Sequence, residues 1–436
     1  MKSSNFNYFV KEGERVIWSN TISGSFFSVN HEEHKILSEI LSEPLNTERK
    51  TLRDWLIERS FIVLGDEIST IKLKNRETVF ENTYNLIINP TVDCNFSCWY
   101  CYQNHSHGRM KDNTIEGIKK FVDRLVFEKK IKGIDLSWFG GEPLLHFNKI
   151  VYQLSLYIKE LMMKNSLTFS NSITSNGFLA TANKFEQFEE IGLNVFQITL
   201  DGDRESHNKT RNINGKPSFD VIINNIISLC SYNPDNIITL RINYTDDIIK
   251  KNFGEILNVI PLEIRKQIKI NFQRVWQTSK VNEDSQRDNP YLKNSIIQLR
   301  EMGFNISIAS YQINFNNICY ADRFYYAHIN YDGKVYKCTA RDYTDENQVG
   351  TLTDSGQIIW KSGELEKRYL KANFDNDQCL KCKKLSICGG PCSQVIVESN
   401  KYNTPICAFE TFEIEPNTFI KESYHSSLAY HRNKCH

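Results

Sequence analysis

The sequence predicts an α/β fold: a partial TIM-like (β/α)6 barrel over about residues 81–310, a small winged-helix-like α+β module before it at 1–80, and a cysteine-rich region after it at 311–436. Three observations carry this expectation. Runs of β-branched and apolar residues alternate with amphipathic stretches from Tyr84 onward, and repeated strand-helix alternation implies a parallel sheet. The first run leads straight into a loop with three cysteines, and glycines or short polar residues end later ones, where barrel active sites lie. Past about residue 310 the alternation gives way to cysteines, glycines and short loops.

Composition narrows the function classes. At 436 residues, with 40% apolar and 24% charged, the chain can form two or three domains with a real core. Net charge is +1, from 53 basic and 52 acidic residues, so no global field calls for nucleic acid or an anionic membrane. Met1 to Phe9 is polar, and no run of about 18 apolar residues occurs, so a cytoplasmic location is expected. Twelve cysteines are too few for a disulfide scaffold of the small secreted type, and their grouping points to metal in a reducing compartment.

In the N-terminal module, Asn7 to Ser19 alternates around Glu12-Gly13 as a hairpin would, and Gly24 to Val29 supplies a third strand. Asn30 precedes a helix with Leu37, Ile40 and Leu41 on one face, and Glu48 to Arg59 forms a second. The barrel strands are Tyr84 to Pro90, Ile134 to Phe139, Phe169 to Thr174, Val195 to Leu200, Ile237 to Tyr244 and Ile268 to Val275. Thr114 to Lys130 and Asn148 to Met163 are the clearest of the helices between them.

The loop from Asp93 to Tyr102 reads D-C-N-F-S-C-W-Y-C-Y, with Cys94, Cys98 and Cys101 at C-x3-C-x2-C. Three thiolates on so short a loop can face one corner of an iron-sulfur cube and leave its fourth iron open. Zinc is the plainer alternative, but its motifs usually come as two closer pairs. After the second strand comes Gly140-Gly141-Glu142-Pro143: the glycines let backbone approach a ligand, the carboxylate can receive an ammonium, and the proline fixes the exit. Ser175, Asn176 and Gly177 end the third strand, and Thr199, Asp201 and Gly202 the fourth, placing short polar side chains where a ribose or carboxylate can be held. Arg211 offers a bidentate guanidinium, and Asn243 ends the fifth strand. His105, His107, His207 and His328 show no ligand spacing and read as ordinary polar residues.

The cysteine loop resembles the signature of the radical SAM superfamily, C-x3-C-x-aromatic-C with Tyr100 as the aromatic, and the likeness extends from about Tyr84 to Cys407. The resemblance implies a 4Fe-4S cluster on Cys94, Cys98 and Cys101 whose open iron takes S-adenosylmethionine (SAM). One electron then yields a 5′-deoxyadenosyl radical that removes a hydrogen atom from substrate. It also implies SAM contacts from Tyr100, Gly140 to Pro143, Ser175, Asn176, Thr199 and Arg211, with Asn243 near the adenosine. The N-terminal module resembles, in order and size only, the leader-recognition domains of peptide-modifying members.

Further on, Cys319 is followed by thirteen residues, Gly333, four residues and Cys338, and then Cys379, Cys382, Cys388 and Cys392 at C-x2-C-x5-C-x3-C, with Cys407 beyond. This resembles the SPASM domain in all seven cysteines. The resemblance implies two auxiliary 4Fe-4S clusters, the outer on Cys379, Cys382, Cys388 and Cys407 and the inner on Cys319, Cys338 and Cys392. Two cubes want eight ligands; Cys435 is the eighth if the tail folds back, and otherwise the inner cluster has an open iron. Cys230, in a helix pattern, reads as a buried hydrophobe. The expected function is oxidative cross-linking of a ribosomally made precursor peptide held by its leader, with flavodoxin or ferredoxin as reductant. The alternatives are sulfatase maturation and a non-catalytic cluster protein. In the sulfatase-maturing members of this family the base is an Asp directly after the second SPASM cysteine; this chain has Thr339 there, and Asp342 and Asp322 are the candidate carboxylates for a displaced base.

Overall fold

The computed structural model describes residues 1–104, 107–275, 277, 289–306, 318–369, 374–399, 407 and 414–434. The module at the N-terminus holds an antiparallel sheet of Asn7–Glu12, Arg15–Asn20 and Ser25–Asn30 in that order. The helix His31–Ser42 starts where expected: Asn30 accepts from the Glu33 backbone while the Glu33 side chain accepts from the Asn30 N–H, a reciprocal cap. Trp18, Leu37, Ile40, Leu41, Leu56 and Phe61 form its core, so the helices His31–Ser42 and Lys50–Glu58 cover one sheet face. A third helix, Glu67–Val79, was not anticipated. It is polar on most sides and buries only Glu67 and Ile71, so its sequence carries almost no helical periodicity.

The main sheet has eleven strands. Its parallel part runs, in spatial order, Asn305–Ile306, Ile268–Arg274, Ile237–Tyr244, Leu193–Leu200, Thr168–Ser175, Gly133–Trp138 and Thr83–Ile88. The six expected strands are thus side by side in chain order, consistent with a partial barrel. Their residues alternate: Tyr84, Leu86 and Ile88 are buried on the face the helices cover. The helix Asp112–Phe127 answers with Ile115, Ile118, Phe121, Val122 and Leu125, spaced three or four apart. Burying each such side chain contributes about 1.5–3 kcal/mol.

The sheet does not stop at residue 310. Tyr326–Ile329 pairs in parallel with the first barrel strand, Tyr326 opposite Asn85, and an antiparallel meander of Lys334–Tyr336, Gly350–Leu352 and Ile358–Trp360 follows. Four buried residues, Y-A-H-I, were too short a run to read as a strand. The N-terminal sheet turns its other face to the C-terminal region: Tyr8, Val10 and Ile17 pack with Ile387 and Ile420, and Tyr8 donates to the Lys383 carbonyl at 3.1 Å. Ile420 belongs to a helix, Pro416–Lys434, that the sequence reading did not identify. No helix among the described residues is long and apolar enough to cross a membrane.

Candidate active site at the barrel strand ends

A cavity of about 160 Å³ opens at the C-terminal ends of the barrel strands. Cys94, Cys98 and Cys101 line it together with Tyr100, Gly140, Gly141, Ser175, Asn176, Thr199, Arg211 and Asn243, so four positions of the cysteine loop, six at strand ends and Arg211 meet in one place. Glu142 and Pro143 lie directly behind that wall, both buried.

The two glycines also have a task that the sequence did not show. The cysteine loop runs across them: Gly141 N–H donates to Thr91 O at 3.2 Å and Glu142 N–H to Asp93 O at 2.8 Å. A Cβ on Gly140, whose φ is +108°, would lie 2.4 Å from Thr91 O, and one on Gly141 would lie 2.1 Å from Asp93 O. The close approach is to the cysteine loop's own backbone, and it seats the thiols over the second strand. Glu142 is fully buried and fastens the third strand to the second, accepting from Ser175 Oγ at 2.9 and 3.0 Å, Asn176 N at 2.8 Å and Leu144 N at 3.0 Å. Burial raises its pKa, and those hydrogen bonds oppose the rise. Asn176 then reaches the cysteine loop through Asn95 Oδ1 at 2.7 Å.

Tyr100 is the hub of the opposite wall. Its hydroxyl donates to Asp201 at 2.6–2.8 Å and accepts from Arg211 Nη2 at 2.6 Å and from Asn243 Nδ2 at 2.9 Å. Arg211 Nε stands 3.1 Å from Asp201 Oδ1, a buried charge pair. His207, which spacing had left as an ordinary polar residue, supports this pair. Its Nδ1 accepts from Asp201 N–H at 3.2 Å and its Nε2 lies 3.0 Å from Ser218 Oγ, whose proton goes to the Arg211 carbonyl at 2.6 Å. These partners require the Nε2–H tautomer, and burial drops its pKa to about 3. A histidine a few residues beyond a strand-end Asp, four before the Arg, was the available signal.

The cavity wall continues into the C-terminal region, which no motif had foretold. Tyr102 donates to the Thr339 carbonyl at 2.5 Å, Gln103 Nε2 to Tyr343 Oη at 3.3 Å, and the Asn104 N–H to Asp342 Oδ1 at 3.0 Å. Residues just after Cys101 are therefore strapped to residues just after Cys338. Asp342 also accepts from Tyr343 N at 2.9 Å, and the half-buried Asp322 accepts from Ser393. Both candidate carboxylates are engaged in holding loops.

The remaining thiols fall into two neighbourhoods. Cys319, Cys338 and Cys392 act on one another electrostatically, as do Cys379, Cys382, Cys388 and Cys407. Burial, reinforced by nearby thiols, pushes Cys388 up to about 11, and burial pushes Cys94 up to about 12, with Glu142 adding to it. Thiols so placed ionise only if a cation compensates them, which suits iron. No three His, Cys, Asp or Glu among the described residues converge as a single-ion site would need, whereas a cube spreads its thiolates more widely. The donor sets therefore fit clusters better than zinc. Cys230 is buried in a helix, as expected, and Cys435 and His105 lie outside the described residues.

Comparison with known proteins agrees with this geometry. Residues 88–258 match the model of the radical SAM superfamily, and residues 319–383 match that of an iron-sulfur cluster-binding domain, SPASM. The radical SAM cyclopropyl synthase TigE of Paramaledivibacter caminithermalis is 23% identical over 431 residues, covering 86% of this chain and 85% of that protein. Among solved structures, anSMEcpe with bound AdoMet and the Cp18Cys peptide covers 80% of this chain and 98% of its own at a TM-score of 0.57 and 18% identity. Streptococcus suis SuiB bound to its precursor peptide SuiA covers 96% and 99% at 0.51 and 17%.

Proposed function

This chain belongs to the radical SAM superfamily and carries a SPASM iron-sulfur domain, and we propose that it matures a ribosomally made precursor peptide by forming an oxidative cross-link, of thioether or carbon-carbon type, in a peptide side chain. The proposed domains are a leader-recognition module at 1–80, the barrel at 81–310 and the SPASM region at 311–436. Cys94, Cys98 and Cys101 hold the SAM-binding cluster. Cys379, Cys382, Cys388 and Cys407 hold the outer auxiliary cluster, and Cys319, Cys338 and Cys392 the inner, with Cys435 or an open iron completing it. When bound, SAM and its cluster supply the 5′-deoxyadenosyl radical that removes the substrate hydrogen.

The protein's own part is to bind and orient. Ser175 and Asn176, held in place by the buried Glu142 carboxylate, present polar groups to the amino end of SAM, Arg211 a guanidinium to its carboxylate, and Thr199 and Asn243 polar groups to the sugar and base. Tyr100 fixes Arg211 by its hydroxyl and keeps water from the back of the site.

One observation carries the peptide reading: the N-terminal sheet is packed on the C-terminal cysteine region, leaving the outer edge of Ser25–Asn30 unpaired with any strand among the described residues. An exposed strand edge suits an extended peptide that adds a strand of its own. Two of the similar solved structures, anSMEcpe and SuiB, hold a bound peptide, which supports the same reading. Formylglycine formation is disfavoured because Thr339 follows Cys338 and both Asp322 and Asp342 are already engaged. Flavodoxin or ferredoxin is the expected reductant, in a cytoplasmic setting. Co-expression with a candidate precursor peptide, sought as a short open reading frame beside the gene, followed by mass spectrometry, should give a peptide lighter by two hydrogens. An unmodified peptide alongside efficient oxidation of a C-x-P-x-R sulfatase peptide would replace this reading with sulfatase maturation.

A further inference from the structure

Beside the inner set of C-terminal cysteines stands a donor without an acceptor. Tyr326 opens the strand that pairs with the first barrel strand; it is fully buried, and its hydroxyl has no hydrogen-bond partner among the described residues. Leaving a buried hydroxyl unpaired costs about 1–3 kcal/mol, and folded interiors seldom do so without a reason. The surroundings restrict what the acceptor is. The Tyr320 ring lies 5.3 Å from the Tyr326 ring, and Lys337 Nζ stands 5.0 Å over that ring while donating to the Tyr326 carbonyl at 3.2 Å. The ionisable groups that act most strongly on the hydroxyl are Tyr320, the Cys319 and Cys338 thiols, and Tyr343. Both phenols are occupied elsewhere, Tyr320 with Thr339 Oγ1 and Tyr343 with Gln103. That leaves sulfur.

We propose that the Tyr326 hydroxyl donates a hydrogen bond to sulfur of the inner iron-sulfur site at Cys319 and Cys338, and so raises the reduction potential of that site alone. The inference rests on the proposed reading in which the C-terminal cysteines hold two clusters. Hydrogen bonds to sulfur, net charge and solvent exposure set such potentials, and a donor favours the more negative, reduced state. The Arg341 and Arg368 guanidiniums, which act electrostatically on Cys338, work in the same direction. The outer set is furnished differently: the phenol near Cys382 is Tyr8, and its proton already goes to the Lys383 carbonyl. A site that accepts an electron more readily is the one suited to take the electron left on the substrate after hydrogen abstraction. Tyr326 is thus a positioning residue acting through the site.

The test is a redox titration of the reconstituted full-length protein, followed by electron paramagnetic resonance, comparing wild type with Tyr326→Phe and with fluorotyrosine at position 326, a stronger donor. At a fixed poise the reduced-to-oxidised ratio of one auxiliary signal should fall about tenfold in Tyr326→Phe, equivalent to about 59 mV, and rise with fluorotyrosine, while the other two signals stay in place. Unmoved potentials at full iron content overturn the proposal and leave the cluster reading intact. Wild-type iron near four per chain overturns both. If Tyr326→Phe fails to load iron, the fluorotyrosine protein decides by whether its potential rises.

Discussion

The two cysteine regions are built on opposite plans. In the barrel, three thiols come from one stretch, Cys94 to Cys101, and most of their polar neighbours, such as Ser175, Thr199 and Asn243, come from the ends of parallel strands whose positions the sheet already fixes. In the C-terminal region the thiols are spread from Cys319 to Cys407 and sit on short turns and four-residue helices such as Asp377–Leu380 and Leu385–Cys388. From this contrast we expect the barrel to shape its site before any metal arrives and the C-terminal region to depend on its metal for shape, as in metal-coupled folding. The strap from Tyr102, Gln103 and Asn104 to Thr339, Tyr343 and Asp342 joins the two.

The largest effect that sharpens this contrast is expected from Gly141→Ala. Its Cβ would meet Asp93 O at 2.1 Å, so the cysteine loop must move. Overpacking of this kind costs about 1–3 kcal/mol, and misplacement of the thiols should lower 5′-deoxyadenosine formation by roughly a hundredfold or more. Iron at the C-terminal sites should remain; equal loss at all sites would mean that the regions are not independent. Next in size is metal removal. Chelation under reducing conditions should speed hydrogen exchange mainly beyond Cys319, with barrel strands such as Ile237–Tyr244 staying protected. Uniform loss of protection would break the comparison.

The smallest effect is on pH. His207 and His328 are both buried and held neutral, with pKa values lowered to about 3 by burial, against about 6.5 when unfolded. Between those values the unfolded chain binds protons that the folded chain refuses. Stability should therefore be complete above about pH 6.5 and decline as pH falls toward 3, each histidine contributing up to about 1.4 kcal/mol per pH unit. Replacing His207 with Gln should remove one proton from that slope in denaturation experiments run at several pH values. An unchanged slope would show that His207 titrates normally and does not hold the Asp201–Arg211 pair.

How legible each part was follows from the same contrast. The six strands, the cysteine loop and the strand-end residues could all be read, because β-branched runs and their exits are local features. Even there the reason for Gly140 and Gly141 was hidden, since the atoms they make room for, Thr91 O and Asp93 O, are nearly fifty residues upstream. The helix Glu67–Val79 was missed because only two of its residues are buried, and Tyr326–Ile329 because four buried residues show no alternation. Tyr326, Lys337 and the strap are set by long-range contacts that leave no mark on spacing. Cysteine spacing did anticipate the two C-terminal sets through family likeness, but their neighbourhoods emerge only in three dimensions.

The most direct test of the central claim is iron content of anaerobically reconstituted wild type beside the Cys94→Ala, Cys98→Ala, Cys101→Ala triple variant. Wild type should hold about twelve iron atoms per chain and cleave SAM, whereas the variant should hold about eight and produce no 5′-deoxyadenosine. Retained cleavage in the variant, or wild-type iron saturating near four, would contradict a chain with one preformed SAM site and two metal-shaped auxiliary sites.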